Sequence, residues 1–201
     1  MISGSGKTVP EDTGTYPKSA LVTTDTEIES QSMVDYLCGC GHKRIAFITS
    51  GDEGLGRCHL NGYKRSLEKN GLEYDEKLII RLKPGKRIYT IENGYNCTCE
   101  LLKSGVDFSC IYAISDTLAV GACRAVIDSG KRVPEDYCVA GADGQDIAEY
   151  YHPSITTLKY PRVEIALQSV RTLFGLIDRK KVVKRQILGG TLIERESTRK
   201  L

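Results

Sequence analysis

No run of apolar residues in this 201-residue sequence approaches the ~20 needed to cross a bilayer, which excludes an integral membrane protein. Neither sign of charge dominates: 28 Lys and Arg stand against 26 Asp and Glu, a net charge of +2. That balance gives no support for the strongly basic surface that drives non-specific nucleic-acid binding. The opening Met1-Ile2-Ser3-Gly4-Ser5-Gly6-Lys7 holds no apolar segment long enough for a secretory signal, so the expected location is cytoplasmic. Cysteine is not scarce, at eight residues, but C-x-x-C is absent. Cys38/Cys40 and Cys97/Cys99 are C-x-C pairs, and His42, His59 and His152 do not stand at finger spacing. The cysteines therefore read as small buried hydrophobes, and neither a metal nor a cofactor is expected. Ser3-Gly4-Ser5-Gly6-Lys7-Thr8 resembles the end of a phosphate-binding loop. Met1 stands where that motif needs its first Gly, and no strand precedes it.

What is present is enough for a folded core: 40% hydrophobic and 27% charged residues. Residues 1–20, rich in Gly, Ser, Thr, Pro and Lys, read as a leader or loop. Beyond them strand and helix alternate. Arg44-Ile45-Ala46-Phe47-Ile48, Leu78-Ile79-Ile80, Cys110-Ile111-Tyr112-Ala113-Ile114 and Cys138-Val139-Ala140 are short runs of buried-strand type. Asp25 reads as the N-cap of a helix ending near Gly41, and Gly71 and Gly105 end two more. Ala119, Ala122, Cys123, Val126 and Ile127 share a helix face that stops at Gly130. Val163, Ala166, Leu167, Val170, Leu173, Phe174 and Ile177 form a longer stripe on a helix entered through Pro161. This alternation predicts an α/β fold, a parallel sheet flanked by helices.

In open parallel sheets, ligands bind beyond the carboxyl ends of the strands. Asp52 follows the first of these strands, with His59 on the entry to the next helix. Tyr89 ends the loop after the second, Ser115 and Asp116 follow the third, and Asp143 the fourth. Carboxylates accept hydrogen bonds from hydroxyls and a ring can cover a sugar face, so the set suits polyol recognition. The plainer reading of Asp116 alone is a helix N-cap, and of Asp143 alone a Gly-flanked turn. No strand-end nucleophile stands with a His partner, so an enzyme is not expected.

Six segments in register carry a resemblance. Gly41-His42-Lys43-Arg44-Ile45-Ala46-Phe47-Ile48 resembles the "LGHKRIAFI" segment of the lactose-repressor/galactose-repressor (LacI/GalR) family of bacterial transcription regulators. Asn61-Gly62-Tyr63 with Leu67, Ser115-Asp116-Thr117-Leu118-Ala119-Val120-Gly121-Ala122, and Val133-Pro134-Glu135-Asp136 with Val139-Ala140-Gly141-Ala142-Asp143 resemble further family motifs in the family's order. So do Pro153-Ser154-Ile155-Thr156-Thr157-Leu158 and Leu192-Ile193-Glu194-Arg195-Glu196-Ser197-Thr198.

The resemblance implies a periplasmic-binding-protein-like fold, in which two α/β lobes joined by three crossovers close on an effector. It implies one complete C-terminal lobe, 51–156 with 181–201, and a partial N-terminal lobe, 21–50 with 157–180. Tyr89 falls where the family stacks a ring on the effector, and Asp143 where a carboxylate binds sugar hydroxyls. Ser115 stands in place of the usual Asn, His59 in place of an effector-gripping Arg, and Gly144 where a second Asp is common. His59 gives up a permanent, forked charge. The implied partners are a small-molecule effector, a sugar or nucleoside, and operator DNA through an N-terminal helix-turn-helix missing here. The full-length parent would be a homodimer. This chain alone is not expected to bind operator DNA specifically. The alternative is a free-standing solute-binding module with no DNA role.

Overall fold

The computed structural model describes residues 19–83, 85 and 87–201. The leader or loop expected over 1–20 lies almost wholly outside them. Strands β1 (Leu21–Thr23), β2 (Ile45–Thr49), β3 (Ile79–Arg81), β4 (Cys110–Ala113), β5 (Cys138–Asp143), β6 (Thr156–Lys159), β7 (Arg185–Ile187) and β8 (Thr191–Ile193) alternate with helices over most of the chain. The helices are α1 (Thr26–Gly39), α2 (Gly54–Lys69), α3 (Ile91–Lys103), α4 (Asp116–Asp128), α5 (Asp146–Tyr150) and α6 (Arg162–Ile177). Six strands form one sheet in the order β3-β2-β4-β5-β6-β8, parallel except for β8, which runs antiparallel to β6. β1 and β7 pair in parallel as a separate two-stranded sheet.

Local chemistry sets the helix ends. The Asp25 carboxylate accepts from the backbone N–H groups of Glu27 and Ile28 and starts α1. Gly71, Gly105 and Gly130 take positive φ just after α2, α3 and α4. Pro161 is the N-cap of α6 rather than a first-turn residue. Along β2, every residue is buried, and Phe47 stacks between Tyr63 of α2 and Tyr112 of β4 at 4.9 and 5.1 Å.

That burial overturns the expected boundary at 50/51. An all-apolar strand needs a neighbour on each edge and cover on each face. β2 accordingly sits inside the large sheet, hydrogen-bonded to β3 and β4. α1 packs on α2, and β6, expected in part with 157–180, lies between β5 and β8. The segment 181–201 also divides, β7 going to β1 and β8 to β6. Among the described residues, only β1, β7 and α6 lie apart from the six strands and their helices.

The terminal Arg195-Glu196-Ser197-Thr198 threads back under the sheet. The buried Ser197 hydroxyl accepts from the Thr156 N–H at 2.9 Å and donates to the Val139 carbonyl at 2.6 Å, tying β5 to β6. Thr198 meets Thr156 and Tyr36, and the Leu201 N–H reaches the Cys40 carbonyl at the end of α1.

α6 turns its apolar stripe outward. Val163, Leu167, Val170, Leu173, Phe174 and Ile177 are between 45% and 67% exposed, whereas Ser169 and Thr172 are buried. Gln186 of β7 donates to Thr172 and accepts from Gln168, so the covered seam of this helix is polar. A contiguous apolar face beside an open two-stranded sheet favours association. The chain is expected to self-associate with rising concentration and to bind an apolar-surface dye, and L167Q/F174Q should weaken both. Monomeric sedimentation at high concentration without dye binding would contradict this.

Candidate functional site

Four of the six expected residues gather at the carboxyl ends of β4 and β5. Ser115 caps α4, its hydroxyl accepting from the Leu118 N–H and meeting the Thr117 hydroxyl at 3.0 Å. Ser115, not Asp116, is therefore the N-cap. Thr117 in turn donates to the Tyr89 carbonyl at 3.3 Å, which draws the loop before α3 against the first turn of α4. Tyr89 is 45% exposed, which leaves it accessible for stacking.

Asp116 is fully buried and structural in its contacts. One oxygen accepts from the Thr157 hydroxyl of β6 and the other from the Gln145 N–H, both at 2.6 Å. Its carboxylate also lies against Gly141, where a Cβ would collide with it. Burial pushes its pKa up to about 6, against the pull of the Thr157 and Gln145 hydrogen bonds.

Asp143 ends β5 in an uncommon conformation, φ 100, followed by Gly144 at φ 62. A Cβ on Gly144 would lie 2.6 Å from Lys159 Cα, so this turn has no room for the second Asp common at that position in the family. The turn holds the Asp143 side chain at the strand end. One of its oxygens accepts from Gln145 at 3.0 Å, and its carbonyl accepts from the Arg162 guanidinium at 2.9 Å. Burial raises its pKa to about 6.

His59 is buried on α2. Its carbonyl accepts from the Ser30 hydroxyl of α1, and its Nδ1 has no hydrogen-bond partner among the described residues. Burial holds its pKa down to about 4, so the ring is neutral at physiological pH. Asp52 is engaged elsewhere. Its carboxylate pairs with Arg81 at 2.8 Å, and Arg81 in turn pairs with Glu76, at the β3 edge of the sheet.

Sequence reasoning missed Glu29. It lies in the first turns of α1, 6% exposed, and neither carboxyl oxygen has a hydrogen-bond partner among the described residues. Thr24 and the Gly190 backbone flank it and stabilise its charge only in part. Burial dominates and pushes its pKa up to about 7, with Asp25 and Asp143 adding repulsion. Glu29 also borders a cavity of about 380 Å³ that Leu158, Gly190 and Leu192 help to line and that includes none of the six expected residues. Its influence reaches Tyr112 and Tyr160, which Asp143 and Asp116 influence too. Among the described residues no group of three or more His, Cys, Asp or Glu side chains could hold a metal ion, and no helix is long and apolar enough to cross a membrane.

Residues 34–198 match the family model of the periplasmic binding protein-like domain. The HTH-type transcriptional regulator MalR of Clostridium butyricum is 41% identical over 146 residues, 73% of this chain and 42% of that protein. A sugar-binding transcriptional regulator of the LacI family from Escherichia coli, solved in complex with phosphate, superposes with a TM-score of 0.82 at 31% identity. The match covers 90% of this chain and 64% of that one. A LacI family transcriptional regulator from Enterococcus faecium, solved with bound ribose, gives 0.79 at 28% identity over 92% of this chain and 67% of that one. The chain spans about half the length of the curated relatives it matches.

Proposed function

Because this chain belongs to the periplasmic binding protein-like domain family of LacI-type regulators, we propose that it is the effector-sensing part of a cytoplasmic transcription regulator. On this reading the six-stranded sheet and its helices are the C-terminal lobe, and β1, β7 and α6 belong to the N-terminal lobe. Operator binding and homodimerisation belong to the longer parent. The relatives are regulators, which accords with a binding role rather than catalysis.

The effector is a small polyol. The observation that carries this is the Asp143–Gly144 turn, which presents a carboxylate at the carboxyl edge of a parallel sheet beside the exposed Tyr89 loop. Asp143 accepts from hydroxyls, Tyr89 covers an apolar sugar face, and Ser115 and His59 supply short polar contacts in place of an amide and a guanidinium. Asp116 positions this edge by binding Thr157 and Gln145. Removing one buried hydrogen-bonding partner costs about 1–3 kcal/mol. D143A should therefore weaken binding of D-ribose or D-glucose, whichever raises the melting temperature of the unsubstituted chain, by about five- to a hundredfold, and Y89A, which removes a ring contact worth about 0.5–1.5 kcal/mol, by about two- to tenfold. D52A, which breaks only the pair with Arg81, should leave affinity unchanged. Unaltered calorimetric affinity in both D143A and Y89A would refute the assignment.

A further inference from the structure

We propose that Gln145 is a further specificity-determining residue of this site: its amide and the Asp143 carboxylate together grip two neighbouring hydroxyls of the sugar. The proposal rests on the effector reading above and adds a second half to its recognition element.

Gln145 stands at the N-cap position of α5, yet its side chain makes no capping hydrogen bond there. It turns instead to Asp143, where its Nε2 donates to Oδ2 at 3.0 Å. The carboxylate fixes which end of the amide faces it, because a reversed amide would set oxygen against oxygen. That leaves the amide oxygen and Asp143 Oδ1 without partners among the described residues, on two adjoining, half-buried side chains. Two adjacent acceptors at a strand end match two adjacent hydroxyl donors. The backbone beneath holds the pair still. The Asp143 carbonyl accepts from Arg162, the Gly144 N–H donates to the Thr157 hydroxyl at 3.3 Å, and the Gln145 N–H donates to Asp116 at 2.6 Å. Three successive residues are thus anchored before a ligand arrives, which spares part of the ordering cost of binding. All three anchors are main-chain groups, so exchanging the Gln145 side chain leaves them in place. The same amide acts on the charge of its neighbour. Burial raises the Asp143 pKa to about 6, and the Gln145 hydrogen bond and Arg162 pull against it. Asp116, Glu29, Tyr112 and Tyr160 are the other titratable groups that share its field, and Lys159, its strand partner, is exposed.

The test uses Q145M, which keeps the side-chain length without the amide, and Q145E, which keeps the shape and replaces the donor with a carboxylate. Calorimetric titration of the 201-residue chain at pH 7.5 compares D-ribose and D-glucose with their monodeoxy derivatives. Q145M should weaken binding of the sugar that binds at least fivefold and leave the urea midpoint nearly unchanged. At least one monodeoxy derivative should bind the unsubstituted chain fivefold or more below its sugar, and Q145M less than twofold below it, because the missing hydroxyl and the missing amide are partners. Carboxyl 13C NMR follows Asp143 itself, apart from the neighbouring acids. Its pKa should rise in Q145M and rise further in Q145E. An affinity within twofold of the unsubstituted chain in Q145M, or an unchanged discrimination against every monodeoxy derivative, would overturn the proposal. So would an Asp143 titration that neither variant moves. If D143A still weakens binding in those cases, the effector reading stands without Gln145. If D143A too leaves affinity unaltered, or if neither sugar binds, the effector reading falls, and the role of Gln145 with it.

Discussion

E29Q is expected to raise the stability of the chain at pH 7.5 by on the order of 3 kcal/mol and to leave it nearly unchanged at pH 4.5. The sign follows from the proton. Burial raises the Glu29 pKa from 4.5 to about 7, so the folded chain holds a proton that the unfolded chain releases. The stability that this proton contributes is complete below about pH 4.5 and is lost as pH rises through about 7. Glutamine keeps the shape of the protonated acid and never ionises. Asp116 and Asp143, both raised to about 6, act in the same direction as Glu29. His59 opposes them, because its pKa is held down to about 4 and folding excludes its proton as pH falls from about 6.5. The difference between E29Q and the parent isolates the one carboxyl. Urea denaturation at the two pH values measures it, and an equal effect at both, or a loss of stability at pH 7.5, would contradict the account.

S197A should destabilise the chain by about 3 kcal/mol at every pH. The Ser197 hydroxyl is fully buried and bridges the Thr156 N–H to the Val139 carbonyl. Its removal leaves a donor and an acceptor inside the protein with no partner, at about 1–3 kcal/mol for each group. Its backbone also bonds Ser154 and Val139, so the tail stays in place and water has little room to enter. A change below about 1 kcal/mol in the denaturation midpoint analysis would mean that the tail is not a structural clasp.

Much of the fold was legible because its signals are local. The Asp25 cap needs only its own side chain and the next turn, and Gly71, Gly105 and Gly130 mark helix ends through a conformation that favours glycine. The apolar runs of β2, β4 and β5 say "buried strand" without saying beside what. That is why the boundary at 50/51 failed: placing β2 inside the large sheet depends on hydrogen bonds to β3 and β4, more than 25 residues away. The α6 stripe was legible as apolar. Its outward direction is set by the Gln168, Thr172 and Gln186 contacts, which no helical period reveals.

At the strand ends, sequence position was a good guide to neighbourhood and a poor guide to role. Ser115 and Asp116 are adjacent, yet one caps α4 and the other ties the start of α4 to β6 through Thr157. Asp52 follows a strand as Asp143 does, but Arg81 occupies its carboxylate. Glu29 gave no signal because an acid in the first turn of a helix ordinarily faces water and favours the helix dipole. Only the packing of the 188–190 segment and β6 around α1 buries it.

The most direct test of the central claim is backbone amide NMR of the chain during titration with D-ribose or D-glucose. The account predicts shifts concentrated at Tyr89, Ser115, Thr117, Asp143 and Gly144, with a smaller one at His59, and none at Asp52 or Arg81. Shifts confined to the Asp52–Arg81 edge or to α6, with the β4 and β5 ends unmoved, would contradict it.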